Sequence, residues 1–148
     1  MIGVCVAVDY GTVRHGIAVS DALGITSSPY CAIPAQPEPD AVAAIIDILE
    51  AKRAARLIVG LPLNMDGSEG PSVVAARALA AKINAAYPIE TVFVDERLTS
   101  VEAESRLLER GLTNKKRKAR VDAHAAQIIL QDYLASIPSL NQYPTHPE

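Results

Sequence analysis

Three acids far apart in the chain, Asp9, Glu96 and Asp122, each stand where a strand or helix would present a carboxylate at one end of a sheet. Asp9 closes the apolar run Ile2-Gly3-Val4-Cys5-Val6-Ala7-Val8. A charge ending so apolar a strand either faces water at the strand terminus or belongs to an ionic site. Three carboxylates within about 4 Å of one another repel by about 4 kcal/mol per pair at an effective dielectric of about 20, so cations are needed to hold them together. Hard, oxygen-only donors select Mg²⁺ or Mn²⁺. Two such ions about 3.5–4 Å apart activate a water and stabilise the leaving oxygen in phosphodiester hydrolysis, so a two-metal site is the expectation.

Each acid also has a plainer reading. Asp9 could cap the turn at Gly11, Glu96 could pair with Arg97 or cede its role to Asp95, and Asp122 could be a helix N-cap. Taken together, those readings leave the convergence of the three unexplained. The basic run Lys115-Lys116-Arg117-Lys118 with Arg120 lies just before Asp122, and Arg106 and Arg110 precede it. Alone, such a run is a solvated loop; beside a metal site in an acidic protein it reads as a guide for a phosphate backbone. Arg14 is a second candidate phosphate clamp, with a structural ion pair as the alternative. His15, His124 and His146 have no metal-ligand spacing.

The elements that must position these residues follow from periodicity. Residues 2–8 read as a buried strand, 16–20 as a returning strand and 25–33 as a third, an antiparallel meander. Prolines at 34, 37 and 39 mark a loop, after which Val42, Ile45, Ile46 and Leu49 repeat at helical spacing to about Lys52. Leu57-Ile58-Val59 is a short buried strand, 60–71 a Gly- and Pro-rich loop at its carboxyl end, and 72–86 an Ala-rich helix. Thr91 to Val94 form another strand running into Asp95-Glu96-Arg97. Thr99 and Glu102 make a capping box for a helix ending near Gly111, residues 112–120 are a basic loop, and 121–135 a final helix. On that helix Ala125, Ala126, Ile129 and Tyr133 follow Asp122 at offsets that place it on the sheet-facing stripe. The fold class is α/β, a mixed five-stranded sheet with helices on both faces. Residues 1–135 form one domain, and 136–148 a frayed, Pro-containing tail.

Composition bounds the rest. The 148 residues, 49% apolar and 21% charged, close one core and are too few for two. A net charge of −3 argues against polyanion binding over the whole surface, so any such contact is local. With no Trp, the core rests on Ala, Val, Ile and Leu, and no aromatic platform for stacking bases is evident. Cys5 and Cys31 lie outside any metal or redox spacing and read as reduced, packed thiols. No run approaches a membrane span, and a cytoplasmic protein is expected.

Four motifs together, Asp9-Tyr10-Gly11-Thr12-Val13-Arg14-His15-Gly16, Val59-Gly60-Leu61-Pro62 with Asp66-Gly67, Asp95-Glu96-Arg97-Leu98-Thr99-Ser100 and Val121-Asp122-Ala123-His124-Ala125-Ala126, resemble the YqgF (RuvX) family over about residues 1–135. The resemblance implies an RNase H-like three-layer fold related to Holliday-junction resolvases, and a nuclease maturing the 5′ end of precursor 16S ribosomal RNA. It implies Asp9, Glu96 and Asp122 as metal-binding catalytic acids, with Arg14 and Lys115, Lys116, Arg117, Lys118 and Arg120 near the nucleic acid. Resolvases proper commonly carry another acid near the last one, where Ala125 and Ala126 stand here, so precursor rRNA is favoured over a DNA junction. Ribosomal particles are an implied partner, and monomer and dimer both stay open. Two other classes compete. Asp9-x-Gly11-Thr12 also opens the phosphate hairpin of actin-like ATPases, but that fold needs a second lobe this length cannot supply. A non-catalytic RNA-binding assembly factor would gain nothing from three mutually repelling acids.

Overall fold

In a computed structural model, residues 2–96 and 115–137 are described. Five strands are present: β1 (Cys5–Asp9), β2 (Arg14–Ser20), β3 (Ser27–Pro34), β4 (Arg56–Leu61) and β5 (Glu90–Asp95). They form one sheet in the order β3-β2-β1-β4-β5. The β1/β2 and β2/β3 pairs are antiparallel, and β4 and β5 add in parallel beyond β1. Three described helices pack on it: α1 (Glu38–Lys52), α2 (Pro71–Ala86) and α3 (Lys115–Ala135).

Strand position follows from sequence. Cys5, Val6, Ala7 and Val8 are all fully buried, as a continuous apolar run requires when both faces of a central strand are covered. β3 carries Pro29, which cannot donate to a ladder, and so lies at the sheet edge. Its register slips there: Ile17 pairs with Cys31 and Ala18 with Pro29, leaving Tyr30 as the extra residue of a bulge.

Alternation splits the core into two layers. Val6, Val8, Ile17, Leu57, Val59 and Leu61 point to one face and pack against Ile45 and Leu49 of α1 and Val73, Leu79 and Ile83 of α2. Cys5, Ala7, Ala18 and Ile58 point to the other, against Ala125, Ala126, Ile129, Leu130 and Leu134 of α3. Each fully buried Leu or Ile contributes about 1.5–3 kcal/mol, so the first layer supplies most of the hydrophobic stabilisation. α1 starts with Glu38 and Asp40 in its first turn, favourable to its dipole, and ends at Arg53 in the left-handed conformation, φ 52°. An ion pair from Lys82 to Glu38 ties α2 to α1.

Several expectations are corrected. β1 begins at Cys5 rather than at residue 2, and β2 at Arg14 rather than Gly16. Lys115 to Arg120 are not a loop: they are helical, within α3, because Lys, Arg and Ala are good helix formers and no Gly or Pro interrupts them. Asp122 is consequently seven residues inside the helix and is not its N-cap. The capping box at Thr99 and Glu102, the helix to Gly111, Arg106, Arg110 and most of the expected tail lie outside the described residues. Cys5 and Cys31 are free thiols. Among the described residues, no helix is long and apolar enough to cross a membrane.

Candidate functional site

Strand parity places the first acid. Cys5 and Ala7 face α3, so Asp9, two residues on, continues that face at the carboxyl end of β1. Across the antiparallel ladder Asp9 pairs with Gly16. A Cβ on Gly16 would stand 1.9 Å from the backbone oxygen of Asp122, so α3 lies with its backbone directly on β2 at the level of Asp9. Only glycine allows that approach.

The second acid follows from the same alternation on β5, where Val92 and Val94 pack in the α3 layer and Glu96 comes next on that parity. A Cβ on Gly60 would come within 2.7 Å of Glu96 Oε2 and 2.6 Å of Ile129 Cδ1. The Glu96 carboxyl therefore lies over bare β4 backbone, between the sheet and α3. Ile129 is two turns beyond Asp122 on the same helical stripe, and this stripe carries the third acid to the sheet end.

The electrostatics record the convergence. Burial raises the Asp9 carboxyl well above the ordinary carboxylate range, and the charges of Glu96 and then Asp122 push it further. Burial, followed by the charge of Asp95, raises Glu96 from 4.5 to about 7. Glu96 thus weighs on Asp9, while Asp95, at the end of β5, weighs on Glu96. Ionisation of Asp9 and of Glu96 is thus opposed by a neighbouring carboxylate in each case. Asp122 has a cation beside it: Arg14 Nε donates to Asp122 Oδ2 at 2.7 Å. Arg14 shares the parity of Gly16 and Ala18, hence the same face. Its ion-pair alternative is therefore realised.

The donor set suits a hard divalent cation, being carboxylate oxygens gathered where Glu96 and Asp122 both oppose the ionisation of Asp9. As placed, no three acid, His or Cys side chains among the described residues form a group ready to hold an ion. Arg120 is exposed, and Lys115, Lys116, Arg117 and Lys118 open α3 ahead of it.

Two supports were not anticipated. His15 is buried, and its Nδ1 accepts the Gly11 backbone N–H at 3.1 Å, closing the turn that follows Asp9. Burial lowers its pKa, and the Nδ1 acceptor places the proton of the neutral ring on Nε2. The glycines at 16 and 60 were also unread as contact points. Their signal was present in the alternation of small residues, Cys5 and Ala7, Gly16 and Ala18, which marks a face built for close helix approach. Next to the site, the loop after β4 folds on itself: Asp66 Oδ1 accepts the Ser68 N–H at 2.9 Å, and Gly67 takes φ +88°.

The sequence matches the family model described as "RuvX: Holliday junction resolvase" over residues 3–136. A relative from Anaeromyxobacter dehalogenans (strain 2CP-1), named "Putative pre-16S rRNA nuclease", is 44% identical over 127 residues, 86% of this chain and 93% of that one. One from Chloroflexus aurantiacus with the same name is 40% identical over 131 residues, 88% and 86% of the two chains. Thermus thermophilus RuvC, solved in complex with a Holliday junction substrate, superposes with a TM-score of 0.59 at 13% identity, covering 93% of this chain and 97% of RuvC. At that identity the likeness bears on architecture, which is RNase H-like. With a family model spanning nearly the whole chain and relatives above 40% identity, this protein belongs to the RuvX family.

Proposed function

We propose that this chain is a metal-dependent nuclease hydrolysing phosphodiester bonds in structured nucleic acid, with maturation of the precursor 16S rRNA 5′ end as its reaction. The observation that carries the proposal is the gathering of Asp9, Glu96 and Asp122 at one sheet end, where Glu96 and Asp122 both oppose ionisation of Asp9. Names of relatives at 40–44% identity support the substrate. Asp9, Glu96 and Asp122 would together hold Mg²⁺ or Mn²⁺, two ions being expected. Such ions, when bound, lower the pKa of an attacking water and stabilise the leaving oxygen.

The chain's own residues do the remaining work. His15 fixes the turn after Asp9 and so the direction of its carboxylate. Gly60 leaves room for Glu96 to approach, and Gly16 does the same for α3. The start of α3 supports a polyanion partner. Lys115, Lys116, Arg117 and Lys118 open the described part of α3 with no acid among them, a local concentration of positive charge. A phosphate backbone laid there would neutralise that charge. Arg14, Lys115, Lys116, Arg117, Lys118 and Arg120 are accordingly assigned to nucleic-acid contact, and the place of action to the cytoplasm, on ribosomal precursor particles.

The test is cleavage of end-labelled precursor 16S rRNA and of a four-way DNA junction, with Mg²⁺ or Mn²⁺, by wild type and Asp9→Asn. Site-specific rRNA cleavage lost in the variant is expected. Preference for the junction would move the substrate to DNA. Binding of rRNA without cleavage of either substrate would replace the nuclease by an assembly factor.

A further inference from the structure

Arg14 is the first residue of β2, and its Nε donates to Asp122 Oδ2 at 2.7 Å. The two side chains keep 31% and 27% of their exposure, so the pair stands at the rim of the site, where a long side chain can swing outward. Asp122 is also one of the two charges that raise Asp9, so this guanidinium neutralises part of the repulsion that a divalent cation would otherwise neutralise. The two cations compete. A guanidinium about 4 Å from a divalent ion repels it with twice the force of a single like charge, and its N–H occupies a carboxylate oxygen the ion would use.

We infer that Arg14 is a displaceable counter-ion of Asp122, holding the acid when no metal is bound and leaving when a divalent cation enters. Resting on the metal-dependent reading above, the inference adds how that site is held when it is empty of metal and what must move on loading. Once released, the planar guanidinium stands at the mouth of the site with its fork free for a phosphate oxygen. Loading of metal and capture of the substrate backbone become one linked event, and by linkage each tightens the other.

Mn²⁺ binding by electron paramagnetic resonance, without nucleic acid, tests this independently of turnover. Arg14→Gln should bind Mn²⁺ at least about 10-fold more tightly than wild type, since a like charge has been removed. Arg14→Lys, which keeps the charge, should bind like wild type, and Asp9→Asn should bind far more weakly than either. Equal or weaker binding by Arg14→Gln, with Asp9-dependent binding in wild type, would make Arg14 a positioning residue for Asp122 and sink the inference alone. Wild-type binding that is absent or indifferent to Asp9→Asn would remove the metal site and the inference together. A measurement on wild type covers the case in which the Gln variant misfolds. The Arg14 side-chain Nε–H resonance should leave its hydrogen-bonded position as Mg²⁺ saturates the site; a resonance that stays put overturns the inference.

Discussion

The two faces of the sheet are made of the same strands and differ in what their alternate residues are. Toward α1 and α2 they present Val6, Val8, Ile17, Leu57, Val59 and Leu61. Toward α3 they present Cys5, Ala7, Gly16, Ala18, Ile58 and Gly60. Bulky side chains hold helices at a distance and bury area; small ones let a helix backbone approach. The α3 face gives up hydrophobic area to gain proximity, and Asp9, Glu96 and Asp122 all lie on it. One face mainly stabilises the fold, and the other positions charges.

That division can be broken by substitution. The largest effect is expected for Asp9→Asn, which should reduce rRNA cleavage to background while raising the thermal midpoint in chelator at pH 8, since a repelled carboxylate has been neutralised. A lowered midpoint would recast Asp9 as structural. Next come two substitutions read against each other. Ile83→Ala on the bulky face should cost about 2–5 kcal/mol in urea unfolding, leaving cleavage per folded molecule unchanged. Gly16→Ala should cost about 1–3 kcal/mol, because its methyl would strike the Asp122 carbonyl, and should also cut cleavage about 100-fold by moving α3. If both variants lose stability and activity in parallel, the division fails.

A smaller effect is expected with pH. A carboxyl whose folded pKa is raised holds protons the unfolded chain releases, so its stabilisation is present at low pH and lost as pH rises through the folded value. For Glu96 the window runs from 4.5 to about 7. In chelator, the stability of wild type relative to Glu96→Gln should therefore fall across that window, by at most about 3 kcal/mol. The difference isolates Glu96 from His15, whose lowered pKa acts in the opposite sense on acidification. A flat difference profile would place Glu96 in water rather than against Gly60. The smallest effect is expected at the start of α3: replacing Lys115, Lys116 and Lys118 with Gln should reduce the salt dependence of rRNA binding by about one slope unit per lost phosphate contact. An unchanged slope would detach the helix start from the substrate.

Sequence periodicity made the sheet legible because strands and helices differ in period, and the prolines at 34, 37 and 39 mark the passage from β3 into α1, whereas Pro29, which marks the edge strand, was not read. Asp9 was legible because a charge ends an apolar run, and Asp122 because it begins an apolar stripe. The Arg14–Asp122 pair, 108 residues apart in the chain, was not, since no local pattern encodes which distant carboxylate an arginine meets. The start of α3 was misread because a dense cationic run resembles a solvated loop, although its residues are good helix formers. Gly16 and Gly60 looked like ordinary strand residues because glycine's use there lies in what it lets approach from outside the strand.

The placement of Asp122 on α3 has a consequence during synthesis. A chain made at about 5–20 residues per second folds from its first elements onward, and the segment between Arg14 and Asp122 takes roughly 5–20 s to appear. Through that interval Asp9 has been made while the last acid has not. With the roles proposed here, an unfinished chain is inert toward the RNA around it, and hydrolytic competence arrives only when α3 docks.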